Sequence, residues 1–356
     1  MIREKLVDII NNHKWISRLI RPLVFLVNTK KGKEKLEKAI DTFVDKEHKK
    51  DPRYIKRLKR KMKWAQYRYE VTYSEYFLMD FEKLNRTGKK SFFGDIERAR
   101  TIGETGTDET RELFYDKFKT YNKFRKYYRR EMIEISDDND WELFKKYIDS
   151  HRDIIIKQYS GSMGKGIQRI KDTKSLESPE GLFKNVISSG KCVVEEFIDQ
   201  CDELAQFHPS SVNTVRIVSV TVNGKTDLIY PFFRMGRGGS CVDNAGSGGI
   251  IAAVDVDTGI IVSRGRNEQG EWFIVHPDSG KQIIGYVIPR WNELLALARE
   301  LATVVPEQPF VGWDLALTDE GWVVIEGNWM SQFLRQYVDL IGCGETVRNY
   351  LKMINA

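Results

Sequence analysis

Three short turn signals constrain this chain most. Asn223-Gly224 lies between the apolar runs 212–222 and 226–233. Asp257-Thr258-Gly259 lies between 250–256 and 260–264, and Asp319-Glu320-Gly321 between 310–317 and 322–325. Connections of two or three residues join antiparallel neighbours, because a parallel crossover needs a dozen residues or more. The second part of the chain must therefore build antiparallel sheet. Short apolar strands are also predicted at 154–157, 167–170 and 193–197. The amphipathic stretch 291–303 predicts a helix, and 331–341 and 344–354 predict two more. Antiparallel strands with segregated helices make the fold class α+β rather than a doubly wound sheet.

The first part reads differently. Residues 1–130 lack strand-like alternation, and Leu6, Ile9, Ile10, Ile16, Leu19, Ile20 and Leu23 recur at helical spacing. Pro52 is placed to open a helix. The run 46–63 holds ten Lys/Arg in 18 residues, and Trp64, Tyr67, Tyr69, Tyr73, Tyr76 and Phe77 follow it. Residues 1–130 carry 35 Lys/Arg against 19 Asp/Glu, a net of +16, whereas 131–356 carry 22 against 32, a net of −10. Such asymmetry points to different jobs or an acidic partner. The domains expected are a basic helical region at 1–135, a small subdomain at 136–194 and a larger one at 195–356.

Composition excludes several classes. With 30 % charged and 41 % hydrophobic residues, neither a disordered chain nor a membrane bundle fits. Cys192, Cys201, Cys241 and Cys343 have no zinc or disulfide spacing, so a reducing cytoplasm is the expected compartment. No apolar run of about 18 residues exists. The best candidate, 16–27, contains Arg18, Arg21 and Pro22 and makes a poor secretion signal.

Three clusters carry chemistry. In the first, a strand ends in Lys157 and a loop follows at once, with Gly161, Ser162, Gly164, Lys165 and Gly166. Small residues let backbone N–H groups close on phosphate oxygens, and a strand-borne lysine supplies a point charge. A flexible hairpin turn is the competing reading, and no Walker-type GK[ST] opens a helix here. In the second, Asp314 lies on one strand of a tight hairpin, with Glu326 and Asn328 on the other. Two carboxylates and an amide oxygen are hard ligands suited to Mg²⁺. In the third, Arg216, Arg234 and Asn244 punctuate apolar strands, where guanidinium groups suit a transferring phosphate or a carboxylate, or a salt bridge.

Taken in order, the helical lobe, strand lysine, glycine loop, Val-Glu-Glu-Phe, arginine strands, Asn…Gly-Gly, Asp and Glu-x-Asn resemble the ATP-grasp superfamily, especially its glutamate-ligase-like carboxylate–amine ligases, which join glutamate or similar amino acids to an acceptor. The stretch Pro-Ser-Ser-Val-Asn-Thr-Val-Arg-Ile-Val and the basic start resemble its sugar-transfer-associated members. The resemblance implies an ATP-grasp fold, two α+β lobes gripping ATP, behind a basic helical region. It implies ATP and Mg²⁺ as cofactors. Lys117 and Lys157 become the nucleotide lysines, and Gly161–Gly166 the phosphate flap. Glu195, Glu196 and Phe197 would meet adenine, and Glu203 the ribose. Asp314, Glu326 and Asn328 would hold magnesium. Arg216, Arg234 and Asn244 would lie near the γ-phosphate and acceptor. The amino-terminal part departs from the family by lacking a βαβ pattern.

The activity implied is amide formation through an acyl phosphate, in cell-surface polysaccharide biosynthesis or modification, on small-molecule or glycan carboxylates and amines. A kinase on the same fold, acting on a sugar or polyol hydroxyl, shares the nucleotide site. A non-catalytic protein binding nucleic acid or a membrane through the basic half is the rival from another class. No RNA-binding motif supports nucleic acid. Peripheral association with an anionic membrane, at its inner face, is the further expectation for residues 2–27 and 46–63.

Overall fold

Proline at the first helical position costs no hydrogen bond and presets φ. In the computed structural model, which describes residues 30–159 and 166–355, the helix opened by Pro52 runs to Tyr69, and the Asp51 carboxylate accepts from the Arg53 and Tyr54 N–H groups. The chain divides into two compact units, 1–97 and 98–356. The periodicity noted between Leu6 and Leu23 lies outside the described residues. No helix among those described is long and apolar enough to cross a membrane.

The first unit is helical: α1 (Lys30–Phe43), α2 (Lys46–Lys49), α3 (Pro52–Tyr69), α4 (Tyr73–Leu78), α5 (Arg86–Ser91) and α6 (Asp95–Thr101), within which the division falls. Leu36, Ala39 and Ile40 of α1 and Leu58, Met62 and Ala65 of α3 are buried at helical spacing. Phe43 stacks on Phe77 with ring centroids 5.0 Å apart, and Phe81 packs between Tyr69, Tyr76 and Phe92. Part of the basic run is neutralised locally. Lys59 pairs with Glu37, Lys61 with Glu82 and Lys50 with Glu47.

The second unit begins with α7 (Asp108–Tyr115) and α8 (Lys117–Tyr128), then builds two sheets. The small one has strand order β1-β4-β2-β3, with β1 (Met132–Ile135), β2 (Ile154–Gln158), β3 (Ile167–Ile170) and β4 (Cys192–Glu196). Every pair is antiparallel. Residues alternate between faces along a strand. Ile135, Ile154, Ile156, Cys192 and Val194 accordingly form one apolar face, packed with Phe144, Tyr147 and Ile148 of α9 (Trp141–Ser150) and Phe183 and Val186 of α10 (Pro179–Ser188). The opposite face carries Glu134, Lys157 and Glu195.

A short helix, α11 (Asp202–Ala205), leads into the large sheet. Its order is β11-β10-β5-β6-β7-β8-β9, comprising β5 (Thr214–Val222), β6 (Lys225–Met235), β7 (Ile250–Ala253), β8 (Gly265–Arg266), β9 (Trp272–Phe273), β10 (Phe310–Thr318) and β11 (Gly321–Asn328). Asn223 and Gly224 both adopt positive φ, at 51° and 75°, as a two-residue type I′ hairpin requires. One face buries Val215, Ile217, Phe233, Val311, Trp313 and Leu315 with Leu294, Ala298 and Leu301 of α12 (Trp291–Val304). The chain closes with α13 (Gly344–Ile354), which packs on β5.

Two sequence expectations fail locally. The segment 331–341 forms only the 3₁₀ turn Leu334–Tyr337; Ser331 and Gln336 are buried along with Phe333, Leu334, Tyr337 and Val338, so burial extends round more than one face and no single amphipathic stripe is left. The segment 260–264 makes isolated bridges, Val254 to Ile261 and Ile260 to Val287, instead of a ladder. The strand β1 carried no signal strong enough to separate it from the helical region before it.

Candidate active site

Antiparallel Cα partners project side chains from the same face. Asp314 on β10 is partnered by Glu326 on β11 and by Arg216 on β5. Thr214, two residues before Arg216, is partnered by Arg234 on β6. A single polar row thus crosses four strands, on the face opposite α12. Asp314 lies at its centre. Arg216 grips the carboxylate with Nε and Nη2, the latter 2.6 Å from Oδ2, and Arg234 Nη1 donates to the same oxygen at 2.7 Å. Arg234 Nη2 in turn donates to Asp243 Oδ1 at 2.9 Å, while the Thr214 N–H and hydroxyl donate to Asp243 Oδ2. Burial pushes the Asp314 carboxyl up, but Arg216 and Arg234 outweigh it and hold the group down at about 2. It is an anion at any physiological pH.

Close approach fixes one glycine here. A Cβ on Gly312 would meet Ser331 Oγ at 2.1 Å and Arg216 Cδ at 3.3 Å. Ser331 Oγ itself accepts from Arg216 Nη1 at 3.3 Å.

The small sheet holds a second charged knot. Glu195, 3 % exposed, receives Arg130 Nε at 3.1 Å and Nη2 at 2.9 Å, and pairs with the Lys157 ammonium. Arg130 Nη1 also donates to the Tyr128 carbonyl at 3.2 Å and to the Val324 carbonyl of β11 at 2.7 Å. It ties the small sheet to the large one. Burial raises the Glu195 carboxyl, but Arg130 and Lys157 more than offset it, and the group stays below the usual carboxylate range.

Beyond Lys157 on the same face, the Tyr159 hydroxyl lies 2.9 Å from Asp116 Oδ1 and 2.5 Å from Glu134 Oε2. Lys117 Nζ sits 5.6 Å from the Tyr159 ring centroid and Lys191 Nζ 4.7 Å from it. Of the lysines on α8, Lys117 is therefore the one beside Tyr159; Lys119 pairs with Glu112, Lys126 with Glu300, and Lys123 is exposed.

The other expected residues are dispersed around these knots. Asp314, Glu326, Arg216 and Arg234 share the row, with Asn328 two residues beyond Glu326 on β11. Lys157 and Glu195 meet each other, so the Glu195 side chain is engaged within the sheet, and β4 is an inner strand with neighbours on both sides. The N–H of Glu196 donates to Glu131 O at 3.2 Å and that of Phe197 to Asp153 O at 2.9 Å. The Arg169 guanidinium covers the Phe197 ring, 3.3 Å from its centroid. Glu203 is exposed on α11, its carbonyl accepting from Tyr286. Asn244 Oδ1 accepts from Gly246 N at 3.2 Å, capping a turn. Gly166, at φ 74°, receives Gln158 N at 3.1 Å and closes the β2–β3 hairpin. Gly161, Ser162, Gly164 and Lys165 lie outside the described residues.

Sequence reasoning missed Arg130, Glu134, Tyr159 and Asp243. Asp243 adjoins Asn244, and its position before a glycine turn was the available signal. Arg130 had none, being the last of five Lys/Arg within 123–130.

Glu326 is exposed, and among the described residues it has no ion-pair partner. The buried Asn328 Nδ2 has no hydrogen-bond partner among the described residues, and an amide N–H₂ in that state suits a phosphate oxygen. No three His, Cys, Asp or Glu side chains are gathered as a metal site among the described residues. The donor set nonetheless fits a hard cation that takes its other oxygens from nucleotide phosphates and water, as magnesium does.

A model of the sugar-transfer-associated ATP-grasp family matches residues 109–354, well over half of the chain. The chain belongs to that family. Membership makes it a protein of the ATP-grasp class, and its two antiparallel sheets with flanking helices are the ATP-grasp fold. No curated protein matches it. Among solved structures it is similar to the D-alanyl-alanine synthetase A of Vibrio cholerae O1 biovar eltor (9 % identity, TM-score 0.46, 70 % of this chain and 68 % of that one). It is also similar to the D-alanine–D-alanine ligases of Helicobacter pylori (11 %, 0.42, 69 % and 63 %) and Bacillus anthracis (12 %, 0.42, 72 % and 73 %). The chain thus spans less than two thirds of the Helicobacter pylori enzyme. The family match begins at residue 109, so the helical unit before it lies outside the match.

Proposed function

We propose that this ATP-grasp protein is an ATP- and Mg²⁺-dependent carboxylate–amine ligase working through an acyl phosphate, on small-molecule or glycan substrates, in the assembly or modification of cell-surface polysaccharide. The observation that carries the reading is the row Glu326, Asp314, Arg216 and Arg234 on one sheet face. It sets an exposed carboxylate beside a buried anion held by two guanidinium groups.

In this mechanism a substrate carboxylate oxygen attacks the γ-phosphorus of ATP, and the bond to the β–γ bridging oxygen breaks to release ADP. The amine nitrogen then attacks the acyl carbon, phosphate departs, and a proton leaves the nitrogen. No protein nucleophile is needed, so catalysis is positioning and charge neutralisation. Arg216 and Arg234 are the residues to stabilise charge developing on the transferring phosphoryl group. Asp243 fixes Arg234 from behind. Lys157 and Lys117 are the cations for the nucleotide phosphates. Glu326, Asp314 and Asn328 would hold magnesium, which when bound neutralises phosphate charge.

The test is ADP release across a panel of uronic acids, amino acids and amino sugars. A carboxylate and an amine that stimulate release only together support the reading. ADP release stimulated by a sugar alcohol alone would replace it with a kinase.

A further inference from the structure

The first unit contains a cavity that the ATP-grasp site does not use. It measures about 550 Å³ and is lined by Trp64, Arg68, Tyr69, Asn85, Arg86 and Lys89, at the carboxyl end of α3 and the start of α5. That volume lies within the ordinary range of small-ligand pockets. Three cations and no carboxylate line it.

The contrast with the rest of α3 is informative. Lys59 and Lys61 on the same helix are paired with Glu37 and Glu82. Arg68, Arg86 and Lys89 have no ion-pair partner among the described residues; Arg68 only leans on the Tyr69 ring, 5.9 Å from its centroid. Trp64 leaves 59 % of its surface to solvent and sits 5.7 Å from the Tyr67 ring. The indole stands outside the core while its helix neighbours Met62 and Ala65 are buried, and it leaves an exposed aromatic surface at the cavity.

Flat aromatic faces beside unpaired cations recognise a ligand with both a hydrophobic face and negative charge. Sugar rings offer axial C–H faces, and acidic sugars add carboxylates that Arg can hold in two-pronged fashion. We propose that this cavity binds an acidic oligosaccharide. The choice of saccharide over other anions rests on the polysaccharide reading above and on the shape. A local cavity suits a few rings, whereas a nucleic acid strand needs a cationic groove that tracks its backbone.

The test uses the full chain and tetragalacturonate, with maltotetraose as the neutral control, by calorimetry. A twenty-nucleotide single strand and phosphatidylglycerol vesicles probe the other anionic classes. Trp64→Ala and the double variant Arg86→Ala/Lys89→Ala are compared with wild type, and melting temperature checks folding; the three substituted side chains are at the surface or half-buried. Tetragalacturonate should bind, maltotetraose should bind at least about tenfold more weakly, Trp64→Ala should lose about tenfold in affinity, the scale of one stacked ring, and the double variant about a hundredfold, the scale of two charged hydrogen bonds. ATP affinity, measured on the same samples, should be unchanged. No binding of tetragalacturonate by wild type, or binding indifferent to both variants, would overturn the proposal. So would tighter Trp64-dependent binding of the oligonucleotide or the vesicles. Absence of ATP binding by wild type would instead contradict the nucleotide site and leave this cavity standing.

Discussion

Glu195→Gln removes one negative charge from between two cations and changes almost nothing else in shape. Glu195 is 3 % exposed, with Arg130 Nη2 at 2.9 Å and the Lys157 ammonium against its other oxygen. Deleting one charge from a buried cluster leaves its partners desolvated and unpaired, which costs about 3–5 kcal/mol. Arg130 keeps two backbone acceptors, Tyr128 O and Val324 O, so the lower end, ~3 kcal/mol, is expected. For a unit of this size that corresponds to about 6–12 °C in Tm. The sign with pH follows from the depressed carboxyl of Glu195. Its contribution is complete above the ordinary glutamate value of 4.5 and fades as pH falls below it. The deficit of the variant should therefore be full at pH 7 and shrink in acid. Adding Lys157→Met to the Gln variant should cost less than Lys157→Met alone, because the ion pair is already gone. The assay is thermal unfolding of the four proteins between pH 7 and pH 4. A Gln variant melting within about 1 °C of wild type at pH 7 would refute the buried cluster.

Four further outcomes follow from the site. Asp314→Asn should destabilise at neutral pH by about 3 kcal/mol, for the same reason of stranded guanidinium groups; the wild-type advantage should persist above 3.8 and vanish as pH falls through about 2, as read by denaturant midpoints. Glu326→Ala should keep its melting temperature, because the side chain is exposed, and lose at least about 100-fold in turnover, a loss of ~2.7 kcal/mol in transition-state stabilisation; steady-state kinetics with a Mg²⁺ titration reads both. Gly312→Ala should cost about 1–3 kcal/mol by forcing Ser331 away from the Arg216 chain, and Gly312→Ala with Ser331→Gly should recover part of it in thermal melts. Asp243→Asn should lower kcat more than it raises the KM for ATP, since it acts through Arg234, and a chase with Asp243→Glu distinguishes lost charge from lost geometry.

The sheet architecture was legible because its turns are chemically explicit. Asn223-Gly224 and Asp319-Glu320-Gly321 fix two hairpins, the first pairing the strands that carry Arg216 and Arg234 and the second setting Asp314 opposite Glu326. The helix opened by Pro52 and the alternation of β5 were readable for the same reason. What could not be read is the pairing of charges. Nothing local joins Arg130 to Glu195, 65 residues away, or Arg234 to Asp314, 80 residues away; long-range topology brings them together. The strand β1 was hidden because four residues following a helix carry too little periodicity to declare a strand. The stretch 331–341 looked helical from its apolar content, yet burial on several sides favours a 3₁₀ turn over an amphipathic helix. Lys157 illustrates the limit on the site itself. Its strand position before a glycine loop marks it as a phosphate lysine, but its present partner is Glu195, a contact no motif encodes.

The central claim is that ATP is spent on making an acyl phosphate. It is tested most directly by supplying ATP, Mg²⁺ and the responsive carboxylate with hydroxylamine in place of the amine. We expect a hydroxamate of that carboxylate to accumulate in step with ADP, and neither to form with Glu326→Ala. AMP and pyrophosphate as products, or a phosphate ester with no hydroxamate, would contradict it.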